Sequence, residues 1–351
     1  MAAVNPGFWA GKRVLLTGHT GFKGGWAAIW LSRMGAEVTG LALAPDQRPS
    51  LYDLAHVGAR TNSRLCDLRR PDAVAAALEG AAFDLVLHMA AQPIVRTSVE
   101  DPIATFDTNV MGTAHLLQTL RRQTSLQAVL VITSDKVYAN AETGRAFAEG
   151  DNLGGKDPYS ASKAAAEIVV QSYAKSFFPS VPVGTARGGN VIGGGDFSRD
   201  RLVADIVRAV QAGEAVTLRH PEATRPWQHV LDCLAGYFRH IEALATDAAT
   251  PRSLNFGPRP GGPEVTVGEL ATLGVAALGG QPWRHEPDPV SLEAHALAID
   301  ASLAKRAIGF ESRLDAPQAV ALTMDWYRRQ AAGEDALALC EAQIADYESR
   351  S

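Results

Sequence analysis

A chain of 351 residues, 46% hydrophobic and 20% charged, is long for one compact core and suits a large α/β unit with a smaller lobe. Its net charge of −5 argues against nucleic acid and anionic membranes as partners, since both select a basic surface. No stretch approaches the ~18 apolar residues of a membrane span, and the opening MAAVNPGFWAGKR lacks the order of a signal peptide, so a cytoplasmic protein is expected.

Taken in order, Arg13–Thr17 reads as a buried parallel strand, closed by a glycine turn. Gly24–Met34 has helical spacing of Trp26, Ile29, Trp30 and Met34, with Gly35 as its C-terminal stop; whether the two tryptophans serve core or contact is open. Strands follow at Glu37–Ala42, Thr61–Cys66, Leu85–His88, Ala128–Thr133 and Val181–Arg187, with helices at Pro71–Leu78, Ala104–Arg122 and Tyr159–Phe177. This alternation predicts a Rossmann-type doubly wound parallel sheet. The rhythm changes at the glycine-rich Gly188–Asp196, so residues 1–186 are expected to bind the dinucleotide, with returns near 226–257. Residues 187–351 are expected to form mainly a smaller C-terminal substrate-binding lobe. Cys66, Cys233 and Cys340 lie far apart without a CxxC pair, and no HExxH stands among the nine histidines, so reduced thiols and no metal are expected.

Gly18, Gly21 and Gly24 follow the first strand and open the first helix as GxxGxxG. Glycine here lets the backbone turn tightly and approach a pyrophosphate, while the helix N-terminus offers unpaired N–H groups. The expected cofactor-binding set is Gly18, Thr20, Gly21, Phe22, Lys23, Gly24, Asp67, Leu68, Ala90 and Ala91, joined by Tyr159 and Lys163. Asp67 follows a strand and suits an adenine amino group, and His88–Gln92 ends another strand at the ligand edge of the sheet. The second strand lacks the usual terminal acid: Asp46 comes late and Arg48 is close by, leaving NAD favoured and NADP open.

Ser134, Asp135 and Lys136 directly follow an apolar strand, and Tyr159 and Lys163 stand four apart on one helix face. Tyrosine is a poor base at its ordinary pKa of about 10, and a nearby ammonium favours the phenolate. Tyr159 is then placed to take a hydroxyl proton that Ser134 holds, while the carbon beneath gives up hydride.

Five stretches, GHTGFKGGW (18–26), ITSDKVY (132–138), LGGKDPYSASK (153–163), ARGGNVIGGGDFSRDRL (186–202) and ATRPWQHVLD (223–232), resemble the extended short-chain dehydrogenases that act on nucleotide sugars. Within that superfamily the chain is most similar to the CDP-glucose 4,6-dehydratase branch, over roughly residues 8–310. The resemblance implies an NAD-dependent internal redox dehydration yielding a 4-keto-6-deoxy sugar nucleotide, by a homodimer joined through helices near 104–122 and 159–177. It implies that Ser134, Tyr159 and Lys163 support oxidation at C4, Asp135 protonates the departing C6 hydroxyl, and Lys136 occupies the position of the C5 base. Gln92, Asn109, Asn190, Arg201 and Arg225 are the implied substrate residues, with guanidinium forks suited to the diphosphate. The sequence departs from the branch at ANAETGRAFAE (139–149), at Leu292–His295, and at Val137, where cysteine is common. These changes bear on the sugar nucleotide rather than on the reaction. A nucleotide-sugar epimerase, a dehydratase for a GDP-, dTDP- or UDP-sugar, and a non-catalytic NAD-binding sensor or scaffold are the alternatives; the retained Asp135, Lys136, Tyr159 and Lys163 favour the dehydratase.

Overall fold

Seven short runs pair in parallel to form the main sheet of the computed structural model, which describes residues 3–259, 262, 264–287 and 297–350. They are β1 (Arg13–Thr17), β2 (Glu37–Ala42), β3 (Asn62–Leu65), β4 (Leu85–His88), β5 (Ala128–Ile132), β6 (Val183–Gly188) and β7 (Ser253–Phe256). Their spatial order is β7-β6-β5-β4-β1-β2-β3, so the chain reverses direction across the sheet between β1 and β4. That switch point opens a crevice at the carboxyl ends of the two strands. Thr17 and His88 face each other there in register. The central strands are apolar on both faces because helices cover both, and every residue of β5 is buried. The Leu292–His295 stretch lies outside the described residues.

Helix α1 (Phe22–Arg33) is followed by Gly35 at φ +82°, the left-handed stop expected of that glycine. Trp26 and Trp30 are core residues, and both reach late parts of the chain. Trp26 Nε1 donates to the Gly194 carbonyl at 2.8 Å, and Trp30 Nε1 donates to Glu348 at 2.8 Å. The expected helix over 104–122 is instead three pieces: Pro102–Phe106, a π-helical turn Asp107–Met111, and α2 (Gly112–Leu120). The wider turn carries Asn109, whose buried side chain bonds across to neighbouring elements, an interaction no apolar periodicity reports.

Helix α3 (Pro158–Phe177) starts at Asp157, whose carboxylate accepts the Ser160 N–H at 2.9 Å, with Pro158 at the first turn. Beyond β6 come α4 (Leu202–Ala212), α5 (Val230–Thr246), α6 (Val267–Leu278), α7 (Ala316–Ala331) and α8 (Ala336–Ser349). Their apolar faces join the core cluster that contains Trp26 and Trp30. Buried Asp232 stitches this region together, accepting the N–H groups of Arg313 at 2.6 Å and Leu314 at 3.0 Å and the Tyr347 hydroxyl at 2.7 Å. The late strand β7 completes the sheet beside β6, where a return of the chain was expected near 253–257. Among the described residues no helix is long and apolar enough to cross a membrane, and no cluster of side chains suits a metal ion.

Candidate active site

The glycine turn is built for close backbone approach. Gly18 lies at φ +79°, and a Cβ there would fall 2.8 Å from the Ala90 nitrogen. A Cβ on Gly24 would fall 2.0 Å from the Gly18 carbonyl oxygen, so helix and strand meet only because both are glycine. Gly21 caps α1 without any side-chain hydrogen bond, so the first N–H groups of the helix have no side-chain cap. The Thr20 hydroxyl is spent on the Leu43 carbonyl at 2.8 Å. These features fit a dinucleotide pyrophosphate. Exposed Leu43 and Leu65, at the ends of β2 and β3, offer apolar surface for a base.

Thr17 and His88 fix the loop after β4. The Thr17 oxygen accepts the N–H groups of Met89 and Ala90, both at 3.0 Å, and meets His88 Nδ1 at 2.7 Å. His88 Nε2 meets the Thr113 hydroxyl at 2.9 Å, and that hydroxyl donates to the Asn109 carbonyl at 2.7 Å. The chain of bonds closes with a neutral imidazole protonated on Nε2. Burial, with Lys163 nearby, pulls its pKa down to about 3. Asp67 is gripped by Arg69 at 2.7 Å, which holds its carboxyl below the usual range. Leu68 is buried and gives its carbonyl to His115 at 2.9 Å, while Ala91 is half-buried in the loop.

The reacting groups converge on a cleft of about 360 Å³ at the carboxyl ends of β4, β5 and β6. Ser134, Asp135, Lys136 and Tyr159 line it, opposite Asn190, Arg201 and Arg225. Lys136 Nζ stands 5.9 Å from the Tyr159 ring centre. Tyr159 is buried at the start of α3, its N–H donating to the Ser98 hydroxyl at 3.1 Å. Burial pushes the phenol up, and the Ser134 hydroxyl and Arg201 pull the other way. Lys163, one turn further on, donates to the Ile132 carbonyl at 3.1 Å. Burial and the Lys23 charge bring its ammonium down to about 7, against the opposing pull of Glu167.

Asp135 is 2% exposed. Its Oδ1 accepts the Ser134 hydroxyl at 2.9 Å, while its Oδ2 has no protein partner. Burial outweighs the pull of Lys136, Ser134, Arg225 and Lys23 and raises its pKa above the ordinary carboxylate value. A buried acid with a free oxygen beside a base is an arrangement for proton transfer.

Two expected substrate residues stand elsewhere. Asn109 is 3% exposed: its Oδ1 accepts the Gln92 N–H at 2.8 Å, and its Nδ2 donates to the Gln92 carbonyl at 3.0 Å and the Ser162 hydroxyl at 2.8 Å. The Gln92 side chain is turned into its own loop, accepting from the Ile94 N–H at 2.6 Å and donating to Thr105 at 2.9 Å. Neither lines the cleft; Asn109 braces α3 against the loop after β4. Sequence reasoning missed Arg96, Asp200, Arg219 and His220, which do line it. Arg96 and Arg219 share Asp200 at 3.7 Å and 3.8 Å, spanning the cleft mouth. The nearness of Arg219 and His220 to Arg225 was the available signal.

Fold and site together define a dinucleotide-binding redox enzyme of the short-chain dehydrogenase type. A family model described as the NAD dependent epimerase/dehydratase family matches residues 14–257, and the chain belongs to that family. Over 99% of its length, and 99% of the relative's, it is 39% identical to a CDP-glucose 4,6-dehydratase of Salmonella typhimurium. It is 29% identical to a dTDP-glucose 4,6-dehydratase of Streptomyces griseus over 71% of this chain and 73% of that one. Among solved structures, the dTDP-glucose 4,6-dehydratase of Streptomyces venezuelae with NAD bound superposes with a TM-score of 0.77 at 25% identity, covering 93% of this chain and 99% of that one. A Bacillus cereus UDP-glucuronic acid 4-epimerase, at 19% identity and a TM-score of 0.76 over 91% of this chain and 99% of that one, shares the fold.

Proposed function

We propose that this chain is an NAD-dependent nucleotide-sugar 4,6-dehydratase whose substrate is CDP-glucose. The observation that carries the reading is Asp135, a buried carboxyl with a free oxygen in the same cleft as Tyr159. Oxidation and re-reduction at one carbon, as in an epimerase, needs no such acid. Elimination of a hydroxyl does, because hydroxide is a poor leaving group until protonated. The full-length similarity to a CDP-glucose enzyme supports the choice of nucleotide.

Bound NAD supplies the acceptor, and later the donor, of one hydride. Ser134 orients the C4 hydroxyl, and Tyr159 takes its proton as the C4–H bond is broken. The C4 carbonyl so formed acidifies C5–H, and Lys136 removes that proton. Asp135 gives its proton to the C6 hydroxyl, which leaves as water. With that hydride returned at C6 and the proton held by Lys136 returned at C5, the sugar would lose one water without net oxidation. Lys163, one turn from Tyr159 on α3, would in its protonated form favour the phenolate. Arg201 and Arg225, with Asn190, face the cleft where a diphosphate is required, and guanidinium forks match its oxygens. The region beyond residue 187 acts mainly as the substrate lobe, with residues 1–186 and the return near 226–257 holding the cofactor. Arg48 is 89% exposed and shares Asp53 at 3.9 Å; the match to an NAD dependent family supports NAD over NADP.

The working unit in this reading is a homodimer. Val99, Ile103, Phe106 and Met111 are exposed apolar residues on the short helices before α2, and Ile168 is 59% exposed on the adjoining α3. A second copy of the chain would cover them. The central test is incubation with CDP-, dTDP-, GDP- and UDP-glucose, read by the alkali-sensitive absorbance of a 4-keto sugar. CDP-glucose is expected to turn over fastest; no turnover of any by NAD-loaded protein refutes the dehydratase.

A further inference from the structure

A buried ion pair lies beneath the cleft and takes no part in the steps above. Glu167 is 0% exposed and Arg187 is 2% exposed. The guanidinium forks onto the carboxylate, Nε to Oε1 at 3.0 Å and Nη2 to Oε2 at 2.8 Å. Each carboxylate oxygen also accepts a hydroxyl, Thr133 on Oε1 at 2.6 Å and Thr185 on Oε2 at 2.8 Å. The third guanidinium nitrogen donates to the Tyr138 hydroxyl at 2.9 Å and the Glu149 carbonyl at 3.1 Å. Tyr138 in turn donates to Asn255 Oδ1, at the end of β7, at 2.6 Å.

Three members of this network adjoin segments that line the cleft or carry a reacting group. Thr133 immediately precedes Ser134, Asp135 and Lys136. Arg187 stands near the end of β6, just ahead of the cleft residues Gly189 and Asn190. Glu167 follows Lys163 by one turn of α3, so the two side chains take hold of consecutive residues, Ile132 and Thr133, at the end of β5. A buried ion pair is a weak source of net stability, because desolvation offsets the attraction. What it supplies here is fixed geometry and a fixed sum of charge.

We propose that the Glu167–Arg187 pair is a positioning device for Tyr159 and Lys163, locking the ends of β5 and β6 to α3 while keeping the charge beneath the two groups at zero. The proposal rests on the redox roles of those two residues and not on which sugar nucleotide is used. The charged groups around Tyr159 are Arg201, Asp135 and Asp157, with Lys136 over its ring, and those around Lys163 are Lys23 from α1 and His88 from β4, with Glu167 on its own helix. Glu167 faces Arg187 from β6, and Arg187 faces Tyr138 after β5. The Glu149 carboxylate stands close by, accepting the Asn255 N–H at 2.9 Å.

Charge deletion separates this role from simple packing. Glu167→Gln keeps acceptor and shape but leaves Arg187 uncompensated, which favours phenolate at Tyr159 and neutral amine at Lys163; both ionisations move to lower pH. Arg187→Gln leaves Glu167 uncompensated and moves both to higher pH. The readout is the ultraviolet difference titration of NAD-loaded protein, each variant measured against the same variant carrying Tyr159→Phe, which needs no turnover. Shifts of about half to one pH unit, opposite in sign, are expected. The neutral double variant Glu167→Gln/Arg187→Gln is expected to titrate as the unsubstituted protein does, with kcat at least about tenfold lower and KM unchanged, because the fork is lost. Single variants that titrate alike overturn the charge role. A double variant with undiminished kcat overturns the positioning role, whether or not the single variants fold. Failure of the unsubstituted protein to turn over sugar nucleotides counts against the reaction proposed above and leaves the titration intact.

Discussion

Replacing Asp135 by Asn isolates the acid on which the dehydratase reading depends. The amide matches the carboxyl in shape and can still accept the Ser134 hydroxyl, but it has no proton to give. A positioned general acid contributes about 10²–10⁴ in rate, so kcat should fall by that factor, or about 3–5 kcal/mol at 1.36 kcal/mol per decade. Tyr159, Lys163 and Ser134 are untouched, and oxidation at C4 should survive. Substrate added in a stopped-flow should therefore produce the near-ultraviolet absorbance of reduced cofactor, which persists instead of decaying. Folding stability should move the other way. Burial disfavours the charged carboxylate, and a neutral amide of the same shape carries no such desolvation cost. Because the folded pKa is raised, Asp135 favours the fold below its unfolded pKa and loses that contribution as pH rises through the folded value. The variant should thus gain most in melting temperature near neutral pH and least in acid. Turnover within tenfold of the unsubstituted rate, with no build-up of reduced cofactor, would refute the assignment.

Tyr159→Phe should lower kcat by about 10³ or more while NAD binds within about threefold, measured by calorimetry on cofactor-free protein; retained turnover contradicts its role as base. Gly24→Ala places a methyl group against the Gly18 carbonyl, and NAD affinity should drop at least about tenfold with a stability loss of about 1–3 kcal/mol. Wild-type affinity and melting temperature would show that the turn has more room than its geometry allows. Ile103→Glu combined with Ile168→Glu puts like charges on the exposed apolar face, and light scattering should report monomer in place of dimer. An unchanged dimer would place the interface elsewhere.

Much of this site could be read from the sequence because its chemistry is local. The turn from Gly18 to Gly24 and the strand that feeds it are contiguous, and Tyr159 and Lys163 share a helix face by spacing alone. Asp135 follows the most apolar strand of the sheet, which fixes it at a carboxyl end. What escaped was set by backbone turns and packing that apolar periodicity does not report. Asn109 reads as a residue of a long helix until a π turn brings it against Gln92 and Ser162. Gln92 has the polarity of a ligand-binding residue, yet its amide is consumed by its own turn.

The altered segment 139–149 shows how a departure in sequence can leave a frame intact. Phe147 stacks on Tyr138 with ring centres 4.9 Å apart and interplanar angle 6°, and its backbone exchanges bonds with Ala298 at 3.0 Å and Asp300 at 2.8 Å. Glu149, from the same segment, accepts the Asn255 N–H while its carbonyl accepts from Arg187. The segment is therefore bound into the network that holds Tyr138, Arg187 and Glu167. The residues proposed to handle hydride and protons stand instead at the ends of β4, β5 and β6 and retain the expected pattern. The opposite wall of the cleft is lined by Arg96, Asp200, Arg219 and His220, which gather from three separate stretches of chain. Local motifs report the first set of residues and pass over the second, and so the reaction class can be read earlier than the substrate.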